Sequence, residues 1–248
     1  MKIVVIGGTG LIGSKVVARL NEHGHEAVPA APNTGVNTVT GEGLAEALQG
    51  ASVVVDVSNS PSFEDDAVTK FFRVSTTNLL KAEADAGVRH HVALSVVGTD
   101  RLQESGYFRA KQAQEDMIKA SGLPYSIVHA TQFFEFAKSL ADSATEGDTV
   151  TVAPIKIQPI FSGDVGTAVA RTAAGEPVNG TTEVAGPDVF ELEDFIRQGL
   201  AVKNDPRTVV TDPHGLYWGA ALKESDLLPA PGAHIAETHL ADWSAQQR

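Results

Sequence analysis

The stretch "VVIGGTGLIGSKVV", residues 4–17, constrains this chain more than any other. It follows a short β-branched run, "KIVVI", and leads into apolar positions at helical spacing: Ile12, Val16, Val17 and Leu20. Gly7, Gly10 and Gly13 form a G-x-x-G-x-x-G pattern between the two. Glycines permit a tight turn and let backbone approach a bound group. A helix N-terminus adds free N–H groups and partial positive charge. In this setting Gly7, Thr9, Gly10, Leu11, Ile12 and Gly13 are read as a cradle for a dinucleotide pyrophosphate; taken alone, the glycines would make only a structural turn.

The setting comes from the next hundred residues, which alternate strand-like and helix-like segments. "HEAVPA", "SVVVDVS", "HHVALSVVG" and "YSIVHA" read as strands. "GEGLAEALQG", residues 64–86 and the segment around Tyr107 read as helices, with Gly50 and Gly87 as stops. Continuous apolar strands alternating with helices predict a Rossmann-like α/β fold: a doubly wound parallel sheet covered on both faces. After about residue 130 the rhythm loosens. "DTVTVAP", "TTEVAG" and "RTVVTD" read as strands, and "FFEFAKSLADSA", "SGDVGTAVARTAAG" and "ELEDFIRQGLAV" as helices. The reading is one domain over 1–248. Residues 1–135 form the dinucleotide-binding core, and 136–248 form a small substrate-side lobe ending in a docked tail.

Composition narrows the function. Nineteen basic against 31 acidic residues give a net charge of −12, which argues against nucleic acid as partner. There are no cysteines, hence no disulfide, thiolate nucleophile or cysteine metal site. The eight histidines are scattered, and His90–His91 lack helical ligand spacing, so no metal is expected. No apolar run suits a membrane span or a signal peptide, and the expected location is the cytoplasm. A small molecule is the expected partner, and a homo-oligomer is compatible with the chain.

In a doubly wound sheet the loops at the carboxyl ends of the strands line the cofactor crevice. The second strand runs into "VPAAPNTG", with neither carboxylate nor basic residue where the adenosine ribose should lie. A missing carboxylate removes the repulsion that would exclude a 2′-phosphate. Asn33 and Thr34 can hydrogen-bond a phosphate or a hydroxyl, so NADP is favoured over NAD. Val57, Ser58 and Asn59, after the third strand, are placed near the ribose or pyrophosphate, although a plain turn before a helix explains them equally well.

"SGYFRAKQAQED" sets Tyr107 and Lys111 four apart, on one helix face with Gln114 and Ile118; Ala110, Ala113 and Met117 form the stripe expected to pack on the sheet. Ser95 ends the fourth strand on the side where a cofactor would lie. Protonating the alkoxide left by hydride transfer needs a donor. A phenol near a lysine ammonium is lowered toward that task, and a serine hydroxyl can steady the oxygen. The alternative is an exposed tyrosine and a solubilising lysine.

"GGTGLIG", Ser95 and "YFRAK" together resemble the short-chain dehydrogenase/reductase superfamily, and the double-glycine start and irregular C-terminal part resemble its atypical, NmrA-like branch. The resemblance covers residues 1–135 well and the remainder loosely. It implies Ser95 as carbonyl anchor, Tyr107 as acid/base and Lys111 as tuner and ribose ligand. Backbone groups of Ala130 and Thr131 would meet the nicotinamide carboxamide. Phe133, Phe134 and Phe136 are candidates for an apolar substrate wall, and Gln158 lies in a segment resembling one that returns to the pocket. The implied activity is NAD(P)-dependent hydride transfer to or from a small, largely apolar carbonyl or alcohol. Two rivals stand beside it: a non-catalytic NAD(P)-binding redox sensor, and a nucleotide-sugar epimerase or dehydratase.

Overall fold

The computed structural model describes residues 1–247. Strand β1 (Lys2–Ile6) is the hub of a seven-stranded sheet. Helix α1 (Gly13–Glu22) leads to β2 (Glu26–Ala30), which pairs with one side of β1; α2 (Leu44–Leu48) leads to β3 (Val53–Asp56), which pairs with the other. Outward from β3 follow β4 (His90–Val96) and β5 (Tyr125–Ala130), connected through α3 (Asp65–Ala86) and α4 (Gly106–Ala120). Every pairing in this sheet is parallel. The direction of winding reverses at β1, so a crevice opens between the carboxyl ends of β1 and β3.

Burial explains why these segments form strands. Val53–Asp56 is buried along its whole length, as a central parallel strand covered on both faces must be. Pro29, which cannot donate to a ladder, sits in edge strand β2. Helix α3 begins with Asp65 and Asp66 in its first turn, which suits the positive end of the helix dipole, and stops at Gly87 with φ of 72°.

The sequence rhythm loosens near residue 130, but the main sheet continues. After α5 (Ala137–Ser143), β6 (Thr145–Glu146), β7 (Thr149–Val152) and β8 (Lys156–Ile157), the chain returns through α6 (Ser162–Ala174), which packs on α1. Strand β9 (Gly180–Ala185), the expected "TTEVAG", then joins β5 in parallel. These two elements, read from sequence as part of the C-terminal lobe, therefore complete the central sheet and its cover. The chain continues through β10 (Phe190–Glu191), α7 (Leu192–Val202), β11 (Thr208–Thr211), β12 (His234–Ile235) and α8 (Leu240–Ala245). Strand β12 lies on the outer side of β9. Strands β11, β7 and β6 form a small second sheet, and β10 pairs with β8.

The lobe has its own core. Phe108, Phe134, Leu140, Ile157, Phe195 and Trp243 meet there, and α8 docks through Trp243 against Phe134 at 5.7 Å between rings. Gly199 of α7 lets that helix lie directly on α5: a Cβ at this position would stand 2.2 Å from the Cβ of Ala137. Gly199→Val should force α5 and α7 apart and cost about 1–3 kcal/mol, as overpacking does. Urea denaturation checks this, and an unchanged midpoint would contradict the packing described.

Candidate active site

A cavity of about 840 Å³ occupies the crevice at the carboxyl ends of β1, β3, β4 and β5. Its floor is the loop between β1 and α1. Gly7 adopts φ of 76°, and a Cβ there would meet the backbone of Ser58 at 3.0 Å. Gly13 is tighter still, with a Cβ position 2.1 Å from the carbonyl oxygen of Gly7. Only glycine fits either place. Gly13 therefore shapes the turn from within, while Gly7, Thr9, Gly10, Leu11 and Ile12 line the cavity. The backbone amides of Thr9, Leu11 and Ile12 meet no acceptor among the described residues, and they lie where α1 begins. Free donors at a helix N-terminus fit a pyrophosphate.

At the end of β2 the wall continues with Ala30, Ala31 and Pro32, then Asn37, Thr38 and Val39. Neither Asn33 nor Thr34 lines it. Thr34 Oγ1 accepts from Ala31 N at 2.9 Å and bonds Ala31 O at 2.9 Å, closing the turn, while Asn33 Oδ1 accepts from Thr9 Oγ1 at 3.1 Å. Asn33 Oδ1 and Thr34 Oγ1 thus both shape the loop beside the cavity. Val57, Ser58 and Asn59 do line the cavity. Asp56 orders that loop: its Oδ1 accepts from Ser58 N at 3.0 Å and from Ser58 Oγ at 2.6 Å.

Ser95, Tyr107 and Lys111 all line the same cavity. The stripe of α4 that packs on the sheet is Lys111, Gln114, Glu115 and Ile118, in place of the expected stripe through Ala113 and Met117, both half-buried. Polar pairing makes this arrangement viable. Lys111, only 2% exposed, donates to Leu94 O at 2.9 Å and to Gln114 Oε1. Gln114 Nε2 donates in turn to Asp56 Oδ2 at 3.0 Å. The ammonium also lies 4.6 Å from the centre of the Phe72 ring. Burial lowers its pKa to about 8, against the opposing pull of Asp56 and Glu115.

The lysine was expected to lower the phenol, and here it does not. Burial among Phe63, Phe72 and Phe108 pushes Tyr107 up to about 12, while the ammonium is engaged with Leu94 and Gln114. Ser95 also has a partner: its Oγ donates to Glu115 Oε1 at 2.7 Å and lies 3.3 Å from Thr99 Oγ1. His129 Nε2 meets the same Glu115 oxygen at 2.8 Å, consistent with a satisfied strand histidine. Burial opposes the charge on Glu115. Hydrogen bonds and charge from His129, with further bonds from Ser95 and Lys119, outweigh it and hold the carboxyl at about 2.

Ala130, Thr131, Phe133 and Phe136 line the cavity as well. Phe134 does not; it packs on Trp243 in the lobe core. Gln158 also lies away, donating to Gly186 O at 2.7 Å. Sequence reasoning missed Phe63, Gln132, Tyr217 and Trp218, all of which line the cavity. Phe63 stacks on Trp218 with ring centres 5.2 Å apart. The signal available was "LYWG", two aromatics in a glycine- and proline-rich segment with no helix or strand of its own to bury. Among the described residues lining the cavity, Lys111 is the one charged side chain and there is no carboxylate. No group of three or more His, Asp or Glu among the described residues is placed to hold a metal ion, and no helix is long and apolar enough to cross a membrane.

Comparison with known proteins agrees with this fold. A family model described as NAD(P)H-binding matches residues 7–158. The photosystem II assembly factor Ycf39 of Cyanophora paradoxa is 25% identical over 149 residues, covering 54% of this chain and 46% of that protein. The chain thus spans about half the length of the curated relatives it matches. The structure of MoeE5 in complex with UDP-glucose and NAD superposes with a TM-score of 0.74 at 18% identity, over 100% of this chain and 97% of that one. An NADPH-dependent quinone oxidoreductase from Escherichia coli gives 0.69 at 18% identity, over 98% of both chains. At such identities the two structures establish the shared Rossmann-like fold.

The Glu115 cluster makes a prediction about acid stability. A carboxyl held below its ordinary value of 4.5 contributes stability in full above that pH, and the contribution is lost as pH falls toward 2. It should amount to on the order of 3 kcal/mol. Denaturant titrations of the wild type should therefore show stability falling steeply between pH 4.5 and about 2. In Glu115→Gln this stretch should be flatter and the stability at pH 7 lower. Coincident curves for the two proteins would contradict the assignment.

Proposed function

The chain belongs to the NAD(P)H-binding family, and on that premise we propose that it is an oxidoreductase of the atypical short-chain type. It transfers a hydride between nicotinamide and a small, largely apolar carbonyl or alcohol. The observation that carries this reading is the meeting of three features on one cavity: free backbone amides at the start of α1, the Tyr107 phenol, and the buried Lys111 ammonium.

The amides of Thr9, Leu11 and Ile12 would hold the pyrophosphate, and Val57, Ser58 and Asn59 would border the ribose. Lys111 would face the nicotinamide ribose, with Ala130 and Thr131 beside the carboxamide. When bound, the nicotinamide supplies or accepts the hydride. NADP is the favoured form, because the cavity wall carries no carboxylate to repel a 2′-phosphate.

Tyr107 Oη is the proton donor. Raised to about 12, it holds its proton at neutral pH as a weak acid, and it donates because the alkoxide formed by hydride transfer is the stronger base. Phe133, Phe136 and Leu140 give the reacting end an apolar wall. The nucleotide-sugar reading, suggested by the MoeE5 complex, is less well supported. A second diphosphate needs cations on the substrate side, and Lys111 is the cavity's one charged side chain among the described residues. The sensor reading keeps cofactor binding and dispenses with Tyr107.

A panel of aldehydes, ketones and alcohols, followed at the nicotinamide absorbance band with both cofactors, separates these. Tyr107→Phe should lower kcat by roughly 10²–10⁴-fold and leave cofactor affinity unchanged. The wild-type kcat/KM should fall above pH about 8, where Lys111 loses its proton. Flat traces throughout, with tight cofactor binding, would support the sensor.

A further inference from the structure

Two polar side chains on this cavity, Thr131 and Gln132, carry buried polar atoms that meet no hydrogen-bond partner among the described residues, and Gln132 leaves both ends of its carboxamide so. Gln132 is 6% exposed, yet neither its Nε2 nor its Oε1 meets a hydrogen-bond partner among the described residues. Its main chain is fixed, since Gln132 O accepts from Ile160 N at 2.8 Å. The side chain alone is left over, on the cavity wall directly after β5. A buried carboxamide with three or four unmet hydrogen bonds is costly to keep unless something else completes it. A ligand in the cavity would do so.

Tyr217 faces the same space. It is also 6% exposed, and the bridge between Tyr217 and Ala220 holds its loop in place. Burial raises its phenol, and Trp218, Tyr107 and Gln132 are all near enough to act on its hydroxyl. Two phenols and this carboxamide therefore line one cavity, with the Tyr217 hydroxyl near both of the others.

Ser95, by contrast, has nothing left to donate. A hydroxyl carries one proton, and that of Ser95 goes to a carboxylate oxygen of Glu115 at 2.7 Å. While this bond stands, Ser95 can accept a hydrogen bond but cannot give one to a carbonyl oxygen.

We propose that Gln132 Nε2 and Tyr217 Oη, in place of Ser95, donate to the substrate's carbonyl oxygen beside Tyr107, and that the substrate is a flat, conjugated carbonyl compound. The proposal rests on the oxidoreductase reading above. An oxygen turning into an alkoxide gains a third lone pair, so three donors around it are matched to the transition state better than to the ground state. Tyr107 gives up its proton to that oxygen and regains one from solvent; Gln132 and Tyr217 keep theirs. The flat shape follows from the aromatic rings around the opening. Phe63, 48% exposed, stacks on Trp218 at an interplanar angle of 26°, and the Phe133 and Phe136 rings, 5.0 Å apart, line the same cavity. A planar ring is the shape that slides between such faces.

The test uses the full chain with NADPH and four probes: 1,4-naphthoquinone, benzaldehyde, 2-cyclohexenone and butanal. The wild type should prefer the three conjugated carbonyls to butanal. Gln132→Met should lower kcat/KM for the best probe by about 10²-fold. Tyr217→Phe should also lower it, and Ser95→Ala should leave it within the wild-type order of magnitude. NADPH affinity should be unchanged in Gln132→Met, and its melting temperature the same or higher, because a side chain awaiting a ligand does not hold up the fold. Gln132→Glu should recover activity as pH falls, since only the protonated carboxyl can donate. The proposal is overturned if Tyr107→Phe is inactive while Gln132→Met turns over normally, or if Gln132→Met loses NADPH binding or melts earlier. Flat traces with all four probes would instead remove the oxidoreductase reading on which the proposal stands, and full activity in Tyr107→Phe would remove Tyr107 as the proton donor.

Discussion

A lysine ammonium buried between helix and sheet is the constraint on which this site depends. Lys111 sits at 2% exposure on the face of α4 that packs against the sheet, where an unpaired charge would be prohibitive. Its bonds to Leu94 O and Gln114, and the bond from Gln114 to Asp56, tie α4 to the ends of both β3 and β4. Asp56 in turn orders the loop through Ser58. One polar chain thus fixes the position of the Tyr107 helix relative to the loops that border the cofactor cavity. Removing one partner from such a chain leaves the others buried and unsatisfied, so the arrangement is rigid as well as polar.

A second polar cluster stands beside the first, built from Ser95, Glu115 and His129. The two differ in what they leave available. The first places a cation at the cavity wall, and the second takes the serine hydroxyl out of play as a donor. The aromatic segment around Tyr217 and Trp218 then adds to the cavity wall from the C-terminal part of the chain, stacked on Phe63. Trp218 adopts φ of 48°, in the left-handed region that side chains rarely occupy, so its place against Phe63 is held by the structure around it.

The sequence made the N-terminal half legible because its signals are local. Apolar runs, helical spacing and stopping glycines lie within a few residues of one another, and β1, β2, β3, β4 and β5 appear where periodicity places them. Gly7 and Gly13 could likewise be read, since the turn they make spans only seven residues. What depends on distant partners was not legible. Strand β9 reads as a strand, but nothing in "TTEVAG" says that it will pair with β5, more than fifty residues earlier. Ser95 reads as a free hydroxyl because Glu115, twenty residues on, shows its role only once α4 is laid on the sheet. Gln132 and Tyr217 lie 85 positions apart and acquire meaning by facing one cavity. Thr34 shows the reverse error: a hydroxyl that looked available is bonded to the backbone of its own loop.

The central claim is spatial, and a crystal structure of the chain with NADPH tests it most directly. The account predicts the pyrophosphate on the amides of Thr9, Leu11 and Ile12, with the nicotinamide ring beside Tyr107 and its ribose against Lys111. A dinucleotide lying along another surface, or one whose nicotinamide points away from Tyr107 into solvent, would contradict it.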